Sequence, residues 1–167
     1  DDLFVPNYRT FCPSDRPREG GALYAIPTGL LFPSGFAMVA LGVARASLDA
    51  AIDFAGSKTV DQDTLRDKAT TQRQIGQAEA IWRSSLAFLR EGTSAVWESA
   101  SKDHRLNMEE RIRLRLAGTH AIRMAADVVD IAYNVCGSNS IFESNPVQRR
   151  FQDVHVITQQ LQGRLSH

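Results

Sequence analysis

From Pro33 onward, apolar side chains recur at steps of three and four in four successive stretches, and nothing else in the chain constrains its fold as strongly. The first stretch runs Phe36, Val39 or Ala40, Val43, Ala46 or Ser47 and Ala50, and ends near Phe54 and Gly56. Its many Ala and Gly residues let a second helix approach its backbone closely. The next stretch, over about 68–101, carries a stripe of Ile75, Ala78, Trp82, Leu86 or Ser85, Leu89, Val96 and Trp97. A third opens at Asn107, with Glu110 three positions on, an Asn form of the capping box. Ile112, Leu116, Thr119, Ile122, Ala126, Val129 and Tyr133 follow on one face, and Gly137 stops the helix after Cys136. Asn145-Pro146 opens the fourth, lined by Val147, Phe151, Val154, Thr158 and Leu161.

Four amphipathic helices with mostly short connections pack as an up-and-down bundle, so the expected fold is all-α, with the bundle over 33–167. The aperiodic stretch 56–67 is a connecting loop. Residues 1–32 are expected to form an extended arm, because Pro6, Pro13, Pro17 and Pro27, with Gly20, Gly21 and Gly29, interrupt any helix there. Leu3–Val5 suits one short strand. Such an arm needs something to lie against, and a start at Asp1-Asp2-Leu3 reads as a cut from something longer.

The remaining composition mostly excludes. Nineteen basic residues balance nineteen acidic ones, so no net field steers the chain to nucleic acid or an anionic membrane. No apolar run approaches the roughly 20 residues of a membrane span, and no signal peptide opens the chain. Cys12 and Cys136 stand in no ligand spacing and read as thiols of a reducing, cytoplasmic setting. There is no Gly-rich phosphate loop, Cys-x-x-Cys, His-Glu-x-x-His or nucleophile elbow, and no metal site is expected. His120 reads as a hydrogen-bonded core or interface histidine, Asp127 and Asp130 as solvated or interhelical contacts, and the Trp stripe as core or subunit interface.

The region 137–160 differs. A Gly-Ser-Asn loop lies between a helix end and a capped helix start, where backbone N–H groups suit a phosphate or pyrophosphate. Arg149, Arg150, Asp153 and His155 follow close by. The same residues also make an ordinary capped helix with surface charge.

Taken in order, several motifs resemble the carboxy-terminal domain of the acyl-CoA dehydrogenase superfamily. They are Leu3-Phe-Val-Pro6, Leu41-Gly-Val-Ala-Arg-Ala-Ser-Leu-Asp49, Gln77-Ala-Glu-Ala80 and the run GSNSIFESNPVQRRFQDVHVITQQ from Gly137 to Gln160. The Ile-Phe…Asn-Pro-x-x-Arg…Asp-Val-His order resembles the flavin-dependent monooxygenase branch more than the plain dehydrogenases. The resemblance covers essentially the whole chain. It implies a parent protein with an amino-terminal helical domain and a middle β-domain ahead of this bundle, and homodimers or homotetramers built through the bundle. It also implies FAD or FMN in the full-length protein, none tightly bound to this chain alone, and a separate flavin reductase as partner. Carried over by motif, Gly137, Ser138 and Asn139 would lie near the flavin phosphate. His155, as the catalytic candidate, and Gln159 would face the isoalloxazine side.

Two departures matter. Dehydrogenases need a carboxylate to take the proton α to the thioester carbonyl, since flavin accepts only the hydride. The family keeps that glutamate where Leu161 falls or, in another branch, where Phe32 falls, and neither is acidic. The monooxygenase branch often has a second histidine five residues after the first, where this chain has Gln160. The resemblance therefore implies a monooxygenase-like oxidoreductase domain. The other readings are a true acyl-CoA dehydrogenase with a displaced base and a non-catalytic oligomerisation bundle.

Overall fold

A computed structural model of the chain describes residues 2–12, 15, 17–60 and 62–164. Asp1 and Pro13 of the expected arm, and residues 165–167 of the expected bundle, lie outside the described residues. Four long helices dominate: α2 (Thr28–Ser57), α3 (Ala69–Asp103), α4 (Met108–Cys136) and α5 (Pro146–Thr158), preceded by one helical turn, α1 (Ala22–Ala25). A two-stranded antiparallel hairpin, β1 (Thr59–Val60) and β2 (Asp63–Thr64), and a 3-10 turn at Leu65–Asp67 fill the expected loop between α2 and α3.

The interhelical contacts fix an up-down-up-down order. Arg45 and Leu41 of α2 meet Glu79 and Trp82 of α3 in antiparallel sense. Gly92 of α3 packs on Leu114 and Ala117 of α4, and Ser99 bonds Glu110, again antiparallel. α4 touches each of the other three long helices. Its buried face, with Ala117, Gly118, Ala121, Ala125 and Ala132, runs parallel to the Ala37, Ala40, Ala44, Ala51 and Ala55 face of α2. Small residues on both sides bring two backbones together, and Leu41, Leu48, Ile122 and Leu89 fill the layers between.

The expected first helix is longer at its start. It begins at Thr28 rather than Pro33, and residues 22–25 are helical rather than extended. Pro33 lies inside the helix, where its missing N–H leaves the Gly29 carbonyl without its usual donor. Burial offsets that loss, because the Pro33 ring packs directly on Gly118 of α4. The same helix is long and apolar enough to cross a membrane by length and composition alone. That corrects the expectation that no such stretch exists. In this fold the helix buries its Ala-Leu face in the bundle and ties Arg45 to Glu79 and Asp49.

The third helix starts as the capping box requires. The Asn107 side chain accepts from the Glu110 N–H at 2.9 Å, and Glu110 accepts from the Asn107 N–H at 2.9 Å. Asn145 caps α5 by accepting from the Val147 N–H at 3.0 Å. α5 ends at Thr158, so Leu161, expected on its buried stripe, is instead 53% exposed on the turn that follows.

Candidate functional site

His155 lies in the last turn of α5, facing α4. Its Nε2 is 2.9 Å from Asp130 Oδ1, and both side chains are about two-fifths exposed. A carboxylate accepts, so Nε2 carries the proton in this pair, and Nδ1 has no partner among the described residues. The ring is also set by an edge contact to Phe151 at 4.5 Å, and Phe151 stacks on Tyr133 at 4.5 Å. One turn back on α4, burial holds the Asp127 carboxyl above its usual range, and Asp130 adds to the effect. The site thus offers an oriented imidazole at the surface, with one nitrogen committed.

Gly137 follows α4 with φ 56°, a left-handed backbone that favours glycine, and its N–H donates to the Asn134 carbonyl. Residues Gly137–Ile141 form a 3-10 turn held by the Ser140 hydroxyl on the Gly137 carbonyl at 2.5 Å. Gly137 and Ser138 are exposed. Asn139 is half-buried and lines a cavity of 270 Å³ with Phe54, Phe142, Ser144 and Asn145. Beneath this loop Cys136 is buried, which pushes its thiol up and suits a core residue rather than a nucleophile. Gln159 caps α5, exposed, with its amide on the Thr158 hydroxyl at 3.1 Å.

These residues do not form one cluster. Gly137, Ser138 and Asn139 precede the start of α5, while His155 and Gln159 lie at its end. From Pro146 to His155 the helix rises roughly 13 Å. The two basic residues between them are mostly committed elsewhere. Arg150 donates to the Ala46 carbonyl at 2.8 Å, and Arg149 is 3.8 Å from Asp153.

Phe32 and Leu161 fall beside a single turn of α4. Pro33 packs on Gly118, the Thr119 hydroxyl donates to the Gln162 carbonyl at 2.8 Å, and Arg115 reaches the Leu161 carbonyl at 3.4 Å. Both side chains are more than half exposed. No Asp or Glu occurs between Gly20 and Leu48, or after Asp153, so a shift of several residues along either segment supplies no carboxylate. Among the described residues, no group of three His, Cys, Asp or Glu could hold a metal ion.

Sequence reasoning left Asp130 as a general polar contact and missed its pairing with His155. A signal was present. Antiparallel helices joined by one loop place residues equidistant from that loop opposite each other, and 130 and 155 are so placed around 142–143. His120, expected to be hydrogen-bonded in a core or interface, is exposed and meets Phe88 edge-on, with ring centroids 6.0 Å apart.

The profile of one family, described as "Acyl-CoA dehydrogenase, C-terminal domain", matches residues 34–162. Indole-3-acetate monooxygenase of Pseudomonas putida is 29% identical over 161 residues, covering 95% of this chain and 41% of that protein. The oxygenase component of p-hydroxyphenylacetate 3-hydroxylase from Acinetobacter baumannii is 24% identical, covering 93% and 39%. The fold is that of 3-HSA hydroxylase from Rhodococcus sp. RHA1, with a TM-score of 0.86 at 18% identity, over 98% of this chain and 45% of that one. XiaF from Streptomyces sp., solved in complex with FADH2 and glycerol, superposes with a TM-score of 0.84 at 21% identity, covering 98% and 44%. The chain therefore spans less than half the length of each of these proteins.

Proposed function

The chain belongs to the acyl-CoA dehydrogenase carboxy-terminal domain family, and on that premise we propose that it is the helical domain of a cytoplasmic flavin-dependent monooxygenase. The observation that carries this reading is the carboxylate-free turn of α4 where the Phe32 and Leu161 segments meet. α,β-Dehydrogenation needs a base there, whereas oxygen insertion into an activated ring does not. The monooxygenase and hydroxylase relatives support the same choice.

The donor set fits a flavin of either kind, FAD or FMN. Asn139 offers an amide in the cavity lined by Phe54 and Phe142, and Ser138 an exposed hydroxyl next to it in sequence, suited to a phosphate and its neighbouring groups. Gly137, Ser138 and Asn139 would hold the phosphate end, with His155 and Gln159 towards the ring. When bound, the flavin supplies electrons to dioxygen, and these arrive from a separate reductase, as the name "oxygenase component" of a relative suggests. Asp130 holds the His155 ring so that Nδ1 points away from the pair and can accept or donate one proton. Gln159 adds a neutral amide that can donate without competing for that proton. A homodimer or homotetramer through the bundle would cover the exposed apolar side chains of Met38, Val39 and Val156.

The test uses the protein extended by its upstream sequence. Supplied with chemically reduced flavin, it should consume oxygen and hydroxylate an aromatic substrate, and it should fail to oxidise acyl-CoA with an artificial electron acceptor. Acyl-CoA oxidation without oxygen uptake would overturn the reading.

A further inference from the structure

We propose that the cavity between α1, the start of α2 and the end of α3 binds a hydrophobic amine, a molecule with an apolar body and one ammonium group. The cavity measures 450 Å³, within the usual range of small-molecule sites. Leu23 and Ile26 wall it on the α1 side, Leu31 on α2 and Trp97 on α3, and the buried Leu114 of α4 lines it as well. Trp97 is 52% and Leu23 50% exposed, so two large apolar side chains of the lining stand open to solvent.

The polar groups of the lining set the ligand's charge. Among the described residues that line the cavity, Glu98 alone is charged. Elsewhere on α3 and α4, Glu79 is held by Arg45, Glu91 and Glu109 by Arg113, and Glu110 by Ser99. Glu98 has no such partner among the described residues, and Lys102, one turn further along α3, makes no ion pair with it. The Ser34 and Thr93 hydroxyls donate to the Leu30 and Leu89 carbonyls, each at 2.9 Å, so towards a ligand they act as acceptors. An ammonium brings three donors and no acceptor, which matches a lining of one carboxylate and two accepting hydroxyls. The exposed indole of Trp97 adds a ring face that attracts a cation. An anionic ligand would instead sit beside an unpaired carboxylate, with no basic residue in the lining to offset the repulsion. Binding here needs neither flavin nor an upstream domain and stands apart from the monooxygenase reading.

The experiment titrates the 15N-labelled 167-residue chain with hexylamine, cationic at neutral pH, and with 1-hexanol, its neutral counterpart. The chain has two tryptophans, and Trp97→Phe assigns their two indole N–H signals. Trp82 lies outside the cavity, its indole N–H donating to the Leu41 carbonyl at 2.9 Å. The amine should shift the Trp97 signal saturably and leave that of Trp82 in place, and the alcohol should bind on the order of tenfold more weakly. Glu98→Gln should lower the amine to the affinity of the alcohol, while Glu91→Gln, outside the cavity on the same helix, should keep it. Equal affinity for amine and alcohol would overturn the proposal, as would no Trp97 shift at millimolar amine. It also fails if the Trp97 signal moves with protein concentration alone and the amine adds nothing, since a second copy then covers the cavity. Loss of the amine-dependent shift in the protein extended by its upstream sequence overturns it too, because the chain's own preceding part then fills the space. None of these failures bears on the oxygen-uptake test, so the two readings fall separately.

Discussion

Replacing Gly118 by alanine sets two well-characterised effects against each other at one atom. In a helix interior, Gly→Ala ordinarily stabilises by about 0.5–1 kcal/mol, because alanine loses less backbone freedom on folding. At Gly118 the added Cβ would sit 3.0 Å from the Pro33 Cβ, 3.2 Å from its carbonyl oxygen and 3.3 Å from its carbonyl carbon. Unstrained carbon pairs sit at roughly 3.5–4.0 Å. Two of the three opposing atoms are backbone of α2, so relief requires moving a helix rather than turning a side chain. Overpacking of this kind costs about 1–3 kcal/mol, which outweighs the propensity gain over most of its range. Gly76 in α3 is the internal control, since a Cβ there meets nothing within 4 Å. Gly76→Ala should raise the urea midpoint and Gly118→Ala should lower it, with unchanged m-values in both. Subtracting one from the other removes the propensity effect and leaves the contact cost, expected at about 1–3 kcal/mol. A difference below roughly 0.5 kcal/mol, smaller than any overpacking cost in that range, would refute the claim that α2 and α4 are in backbone contact at this point.

Two further predictions concern the helix ends and the acid limb of stability. Asn107→Ala should cost about 1 kcal/mol by removing the cap of α4, and Asn107→Gly only a few tenths; equal losses in thermal melts would contradict the cap's role. The hydrogen bond from Arg45 holds the Glu79 carboxyl below its ordinary value of 4.5, helped by Arg83, and Ser99 does the same for Glu110. A depressed carboxyl stabilises the fold above the unfolded value and loses that contribution as pH falls through the folded one. Stability should therefore drop below about pH 4.5, and Glu79→Gln should flatten that limb while lowering stability at pH 7. An unchanged acid limb in the variant, followed by circular dichroism, would rule out this source.

Much of this fold was legible because its helices announce themselves locally. The capping box at Asn107 and the Asn145-Pro146 start depend only on neighbouring residues, and both helices begin where those residues place them. The beginning of α2 depends on something distant. Pro33 looks like a helix start, and only its burial against Gly118, far along the chain, explains why the helix runs through it. The same division holds for the site. The Gly137 turn follows from its local sequence. The Asp130–His155 pair depends on the register of α4 against α5.

The small-residue seam between α2 and α4 also determines how far apart two distant parts of the chain can be. Because Gly118 lets Pro33 press onto α4 while Thr119 holds Gln162, the segments around residues 32 and 161 become neighbours despite their separation in sequence. A chemical group introduced from either segment would reach the same small volume. Relocating a reactive side chain from one end of such a domain to the other is then a change of address in the gene and hardly any change of position in space, so ancestry and chemistry can part company here without the bundle being rebuilt.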